Sequence, residues 1–172
     1  MSLEALVQSV AGYFEGLARG VFDGDPASNQ NLTVEVLGAS RALDTPVMIV
    51  ITPWTVTGMV FPPDGLFLTG LRIEHRHYPV LANEVDGIGQ YHSVLLIPDV
   101  SDYRDQSAVR DDSLALLPGL LRAVERWRNE KVGVVDPDRR ALVRGLAGQR
   151  DPDTPVNPFG DPDELPLPKP DD

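Results

Sequence analysis

The sequence predicts an α+β fold: a single domain with a mainly antiparallel sheet of about six strands, an N-terminal helix and C-terminal helices packed on it. Three observations carry this expectation. An apolar stripe at helical spacing opens the chain, six β-textured segments fill residues 32–97, and helical periodicity returns near residue 105. The order helix, strands, helices suits strands joined mainly by turns, with the helices gathered on one side of the sheet. Of the 172 residues, 42% are hydrophobic, enough for one core.

Leu3, Leu6, Val7, Val10, Phe14, Leu17 and Val21 recur three and four apart. That spacing predicts a helix from Ser2, a hydroxyl N-cap, to Gly20, a residue that stops helices. A polar connector, Asp23 to Asn31, leads into the β region. The predicted strands are Leu32–Leu37, Val47–Ile51, Val56–Phe61, Leu71–Tyr78, Val80–Val85 and Tyr91–Ile97. Val47-Met-Ile-Val-Ile51 is apolar at every position, as a strand buried on both faces requires. Asp86-Gly87 and Gly89 predict a hairpin connection between the last two strands. Helices are predicted over Asp105–Leu117 and Pro118–Trp127. Pro118 withdraws an amide, so a kink or two abutting helices is expected there. A last short helix is expected from Asp136, with Pro137 at its first position, to about Leu146.

Residues 1–150 thus form the expected domain, and residues 151–172 differ in kind. The latter hold seven Pro and seven acids against one Lys. Missing amides and mutual repulsion predict a disordered acidic tail.

Composition excludes several functions. With no Cys there is no disulfide framework, cysteine nucleophile or thiolate metal site. A net charge of −11 disfavours nucleic acid partners. No apolar run reaches the ~18 residues of a membrane span, and the start lacks a secretory basic stretch, so a soluble cytoplasmic protein is expected. Phosphate-loop, nucleophile-elbow and dinucleotide signatures are missing, no cofactor is implied, and no catalytic constellation emerges.

His75 and His77 lie two apart on a predicted strand and would share a face, as two metal ligands would. His92 joins them only if strand pairing brings it near. A small nickel- or zinc-binding protein or enzyme using these three is one alternative reading, against ordinary half-buried histidines. Asp99, Asp102 and Asp105 surround a helix start and read as caps, with an acid–base pair as the alternative. Thr52-Pro53-Trp54 follows the most hydrophobic strand, where Pro53 ends the ladder. Trp54 there either closes the core's rim or anchors a partner. Gln90-Tyr91 holds a comparable rim position.

These same residues carry a resemblance. Val50-Ile51-Thr52-Pro53-Trp54, followed by Val60-Phe61-Pro62, resembles the ITPW…FP signature of the HybE/HupJ family of nickel–iron hydrogenase assembly chaperones. Glu84-Val85-Asp86-Gly87-Ile88-Gly89-Gln90-Tyr91, then Ser93, resembles its second signature, which precedes a Leu-rich strand and a proline, here Leu95-Leu96-Ile97-Pro98. Asp105-Gln106 and Arg139-Arg140-Ala141-Leu142 are weaker matches, and the resemblance spans roughly residues 3–150. Where family members often carry a Cys, this chain has Ser93-Val94-Leu95, so a thiol role is absent.

The resemblance implies a non-enzymatic chaperone that holds hydrogenase subunit precursors until cofactors are in place. The expected partners are the small subunit with its twin-arginine leader and other maturation proteins, with the large subunit as a further candidate. An accessory subunit of the mature hydrogenase is the third reading. The expected contact residues are Thr52, Pro53, Trp54, Phe61, Asp86, Gln90, Tyr91 and Asp99. In this expectation the aromatics supply apolar anchoring, and Asp86 or Asp99 meets guanidinium groups.

Overall fold

The structure, a computed structural model, describes residues 1–133. The expected helix from Asp136, the match at Arg139–Leu142 and the acidic tail lie outside the described residues.

Helix α1 spans Leu3–Gly20, and the Ser2 hydroxyl accepts the Ala5 amide at 3.1 Å, as an N-cap does. Its stripe buries Leu6 and Val10. Six strands follow: β1 (Glu35–Ala42), β2 (Thr45–Ile51), β3 (Val56–Val60), β4 (Gly70–Ile73), β5 (Arg76–Val85) and β6 (Gly89–Ile97). They pair antiparallel throughout in the order β1-β2-β3-β6-β5-β4. Helix α2, Gln106–Gly133, closes the described chain, with the Asp105 carboxylate accepting the Ala108 amide at 2.9 Å.

Strand alternation divides the interior in two. Val47, Ile49 and Ile51 of β2 pack with Val109, Leu120, Val124 and Trp127 of α2. Met48 and Val50 point the other way, to Leu6 and Val10 of α1. All five residues are fully buried. Each such side chain contributes roughly 1.5–3 kcal/mol, an upper estimate because the unfolded chain is itself partly compact. The two helices therefore cover opposite faces. The expectation of helices gathered on one side is corrected: a strand apolar on both sides needs a layer on each.

Three element boundaries also depart from expectation. The predicted strand Leu71–Tyr78 is a hairpin: Ile73 pairs with Arg76 across a two-residue turn of Glu74 and His75, and β5 then runs on through Pro79 to Val85. Glu74 occupies φ +53°, a conformation that carries no glycine signal here. Helix α2 is continuous across Pro118, whose side is exposed, as is Leu114 one turn earlier. The turn that loses its bond thus lies on the exposed side of the helix, where the missing bond costs little cooperative structure. Finally, β1 extends through Gly38 to Ala42, because a bulge places Gly38 and Ala39 opposite Met48.

That bulge sets how closely α2 approaches. Gly38 has φ +59°, and a Cβ there would collide with the Leu117 side chain. Gly38→Ala is expected to destabilise by about 2–3 kcal/mol through backbone strain and overpacking, read as a lower urea midpoint with unchanged slope.

At the β1–β2 turn, Asp44 accepts from the buried Arg128 of α2 through both carboxylate oxygens, with Nε to Oδ1 at 2.8 Å. The Arg128 hydrogen bond holds the Asp44 carboxyl below the usual range. A depressed carboxyl contributes stability that is complete above the ordinary unfolded value of about 4 and lost as pH falls through the lower folded value. Asp44→Ala should cost about 1–2 kcal/mol at neutral pH, because Asp44 is half exposed and screened, and should flatten the acid limb of the stability curve. An unchanged pH profile contradicts the pair's role.

Candidate functional site

The Thr52-Pro53-Trp54 turn is held from within and from without. The buried Thr52 hydroxyl donates to the Thr55 carbonyl at 2.9 Å and accepts the Thr55 amide at 3.0 Å. This local bonding makes Thr52 a clip for the turn rather than a contact surface. The Pro53 carbonyl accepts the Asn29 amide at 2.7 Å. The Asn29 side-chain amide in turn donates to the carbonyls of Val100 and Tyr103, at 2.8 and 2.7 Å.

Trp54 is half-buried and stacks on Phe22, centroids 4.0 Å apart and planes 16° from parallel. Together with Arg19, Asn29 and Pro53 these rings line a cleft of about 400 Å³ beside the end of α1. Asp99 follows β6 at this same end, since Ile97 pairs with Val56. It is exposed, and its hydrogen bonds from Ser101 hold its carboxyl below the ordinary range.

The other expected residues gather at the opposite end of β3. Phe61 and Tyr91 lie 5.9 Å apart, centroid to centroid, in the α1-side core. Both are buried, Tyr91 with 7% of its surface exposed. Burial, with the nearby Tyr13 second, raises the Tyr91 pKa. The ring faces of this pair are therefore not open surface. Gln90 is exposed beside a second cleft of about 360 Å³, roofed by the loop from Pro62 to Phe67. Asp86 sits exposed at the adjoining hairpin tip, where Gly87 and Gly89 take φ of +82° and +88°. The eight residues thus form two separate groups, one at each end of β3, and not one continuous surface.

Asp64, Phe67 and Glu84 also line the second cleft and are not among the expected contacts. Phe67 is 67% exposed, unusual for a large apolar side chain. The apolar run Gly65-Leu66-Phe67-Leu68, assigned to no strand, was the available signal. Beneath Phe67, edge-on at 6.1 Å, lies His92. It is 5% exposed, and neither ring nitrogen has a hydrogen-bond partner among the described residues. Leaving a buried polar group unpaired costs roughly 1–3 kcal/mol. Burial pushes its pKa down and keeps the ring neutral.

The expected sharing of a face by His75 and His77 does not hold, because His75 lies in the β4–β5 turn. His77 packs across Gly70, while His92 pairs with Ala82, five residues further along β5 and on the opposite face. Among the described residues no three His, Asp or Glu side chains are grouped to hold a metal ion. No helix among them is long and apolar enough to cross a membrane.

Asn29 ties the first cleft together. Asn29→Ala should lower stability by roughly 2–3 kcal/mol through two unmet carbonyls, and shift Trp54 emission as its turn loosens. Unchanged emission and urea midpoint would contradict this.

The two signature stretches therefore sit where the chain offers concave surface, with Pro53 and Trp54 in one cleft and Pro62, Glu84, Gln90 and Tyr91 in the other. The model of the NiFe-hydrogenase assembly chaperone family HybE matches residues 5–145. No curated protein and no solved structure matches the chain. The family match covers most of the sequence and contains both clefts, and on that basis the chain belongs to the HybE family of nickel–iron hydrogenase assembly chaperones.

Proposed function

We propose that this chaperone holds the hydrogenase small-subunit precursor in the cytoplasm, gripping its twin-arginine leader and the chain beside it until assembly is complete. It acts by binding and release, without chemical change to its client, alongside other maturation proteins, with the large subunit as a further candidate partner. The observation that carries this reading is the second cleft. Asp64 and Glu84 place carboxylates beside the exposed ring of Phe67, the combination that a leader with paired arginines and an apolar stretch calls for. Asp86 at the hairpin tip adds negative charge near that end, and Asp99 does so near Trp54. The Trp54–Phe22 stack offers a second apolar foothold.

Affinity capture with purified components tests this. Wild-type protein should retain the precursor about tenfold more tightly than either a leaderless precursor or a Trp54→Ala, Phe67→Ser double variant does. Equal retention with and without the leader, or by the double variant, rejects the reading.

A further inference from the structure

The second cleft has a floor that the client-holding reading does not use. On β5 and β6, Glu84 pairs with Gln90 and Ala82 pairs with His92. These four positions share one sheet face, so Glu84 stands diagonally across from His92, about 7–8 Å away between backbone positions. The Pro62–Phe67 loop bridges over them, bringing Asp64 and Phe67 to the same space. Two carboxylates line the cleft, and under the Phe67 ring its floor holds an imidazole whose two nitrogens are buried and bond to nothing else among the described residues. An anion is disfavoured by the carboxylates. A planar cation with several donors fits once the exposed Phe67 ring turns aside, because it can then fork between carboxylate and imidazole while its face lies along that ring.

We propose that this cleft is a guanidinium subsite in which His92 accepts a hydrogen bond from an arginine side chain carried on an extended partner segment, flanked by Glu84 and Asp64. The proposal rests on the client-holding reading for the partner, and adds the residue that selects arginine over lysine. Lysine's ammonium is compact and strongly hydrated and has no flat face to lay against Phe67, so it loses more on entering a half-closed cleft. His92 works as a neutral acceptor, a state its burial favours.

The test uses the full chain with its histidine ring nitrogens observed by NMR, titrated with a ten-residue Ser/Thr/Leu peptide carrying one Arg and with its Lys counterpart. The Arg peptide should move the His92 ring resonances and bind at least about fivefold tighter than the Lys peptide. His92→Phe should remove that discrimination, and His92→Gln, which keeps an acceptor, should restore part of it. Should His92→Phe fail to fold, Glu84→Gln on the exposed rim carries the comparison and should weaken the Arg peptide about tenfold. Equal binding of the two peptides, or unmoved His92 resonances at saturation, overturns the subsite. Retention of the leader-bearing precursor by a folded His92→Phe variant that binds both peptides alike would remove the subsite and leave the client-holding reading standing. Loss of precursor retention by the wild type would remove that reading instead.

Discussion

The middle of the sheet has to satisfy two apolar cores at once, and nearly everything else follows from how it does so. Val47, Ile49 and Ile51 belong to the α2 side, Met48 and Val50 to the α1 side, and none is exposed. A one-residue slip of β2 would exchange these sets, so register here is specified by packing on both faces. With β2 pinned, β3 is pinned beside it, and the turns at the two ends of β3 have defined positions. Those turns are where both clefts form.

The long-range polar contacts reinforce the same frame. At one end of α2, Arg110 makes a bidentate pair with Glu35 at 2.9 and 3.0 Å, and Gln106 bonds the Thr33 backbone and the Glu35 carboxylate. Toward the other end, Arg128 grips Asp44 at the β1–β2 turn. The long helix is thereby fastened across the edge strand, while Asn29 fastens the loop before β1 to the segment after β6. The Trp54 turn is held through Asn29, which bonds both Pro53 and the Val100–Tyr103 segment.

Much of this was readable in the residues. The Ser2 cap, the doubly buried strand at Val47–Ile51 and the glycine-bearing hairpin after Val85 each have an unambiguous local signal, and the structure agrees with all three. The β4–β5 turn had none: Glu74 and His75 are not turn formers, and only the pairing of Ile73 with Arg76 forces Glu74 to positive φ. The continuity of α2 was equally hidden, since a proline on a water-facing side is tolerated once the helix is held by packing on both flanks of it. The site was partly legible. Motif residues led to both clefts, but Phe67 and Asp64 enter through a loop fold that no periodicity encodes, and the burial of Tyr91 and Phe61 depends on α1 lying over them.

Strand β3 also acts as a spacer. Its five residues span about 16 Å, with one cleft before it and the other after it. A stretched backbone crosses such an interval in about five residues, whereas a helix rising 1.5 Å per residue needs about eleven. An extended segment of about five residues therefore matches the length of this strand, and a coiled segment of the same count falls short of it.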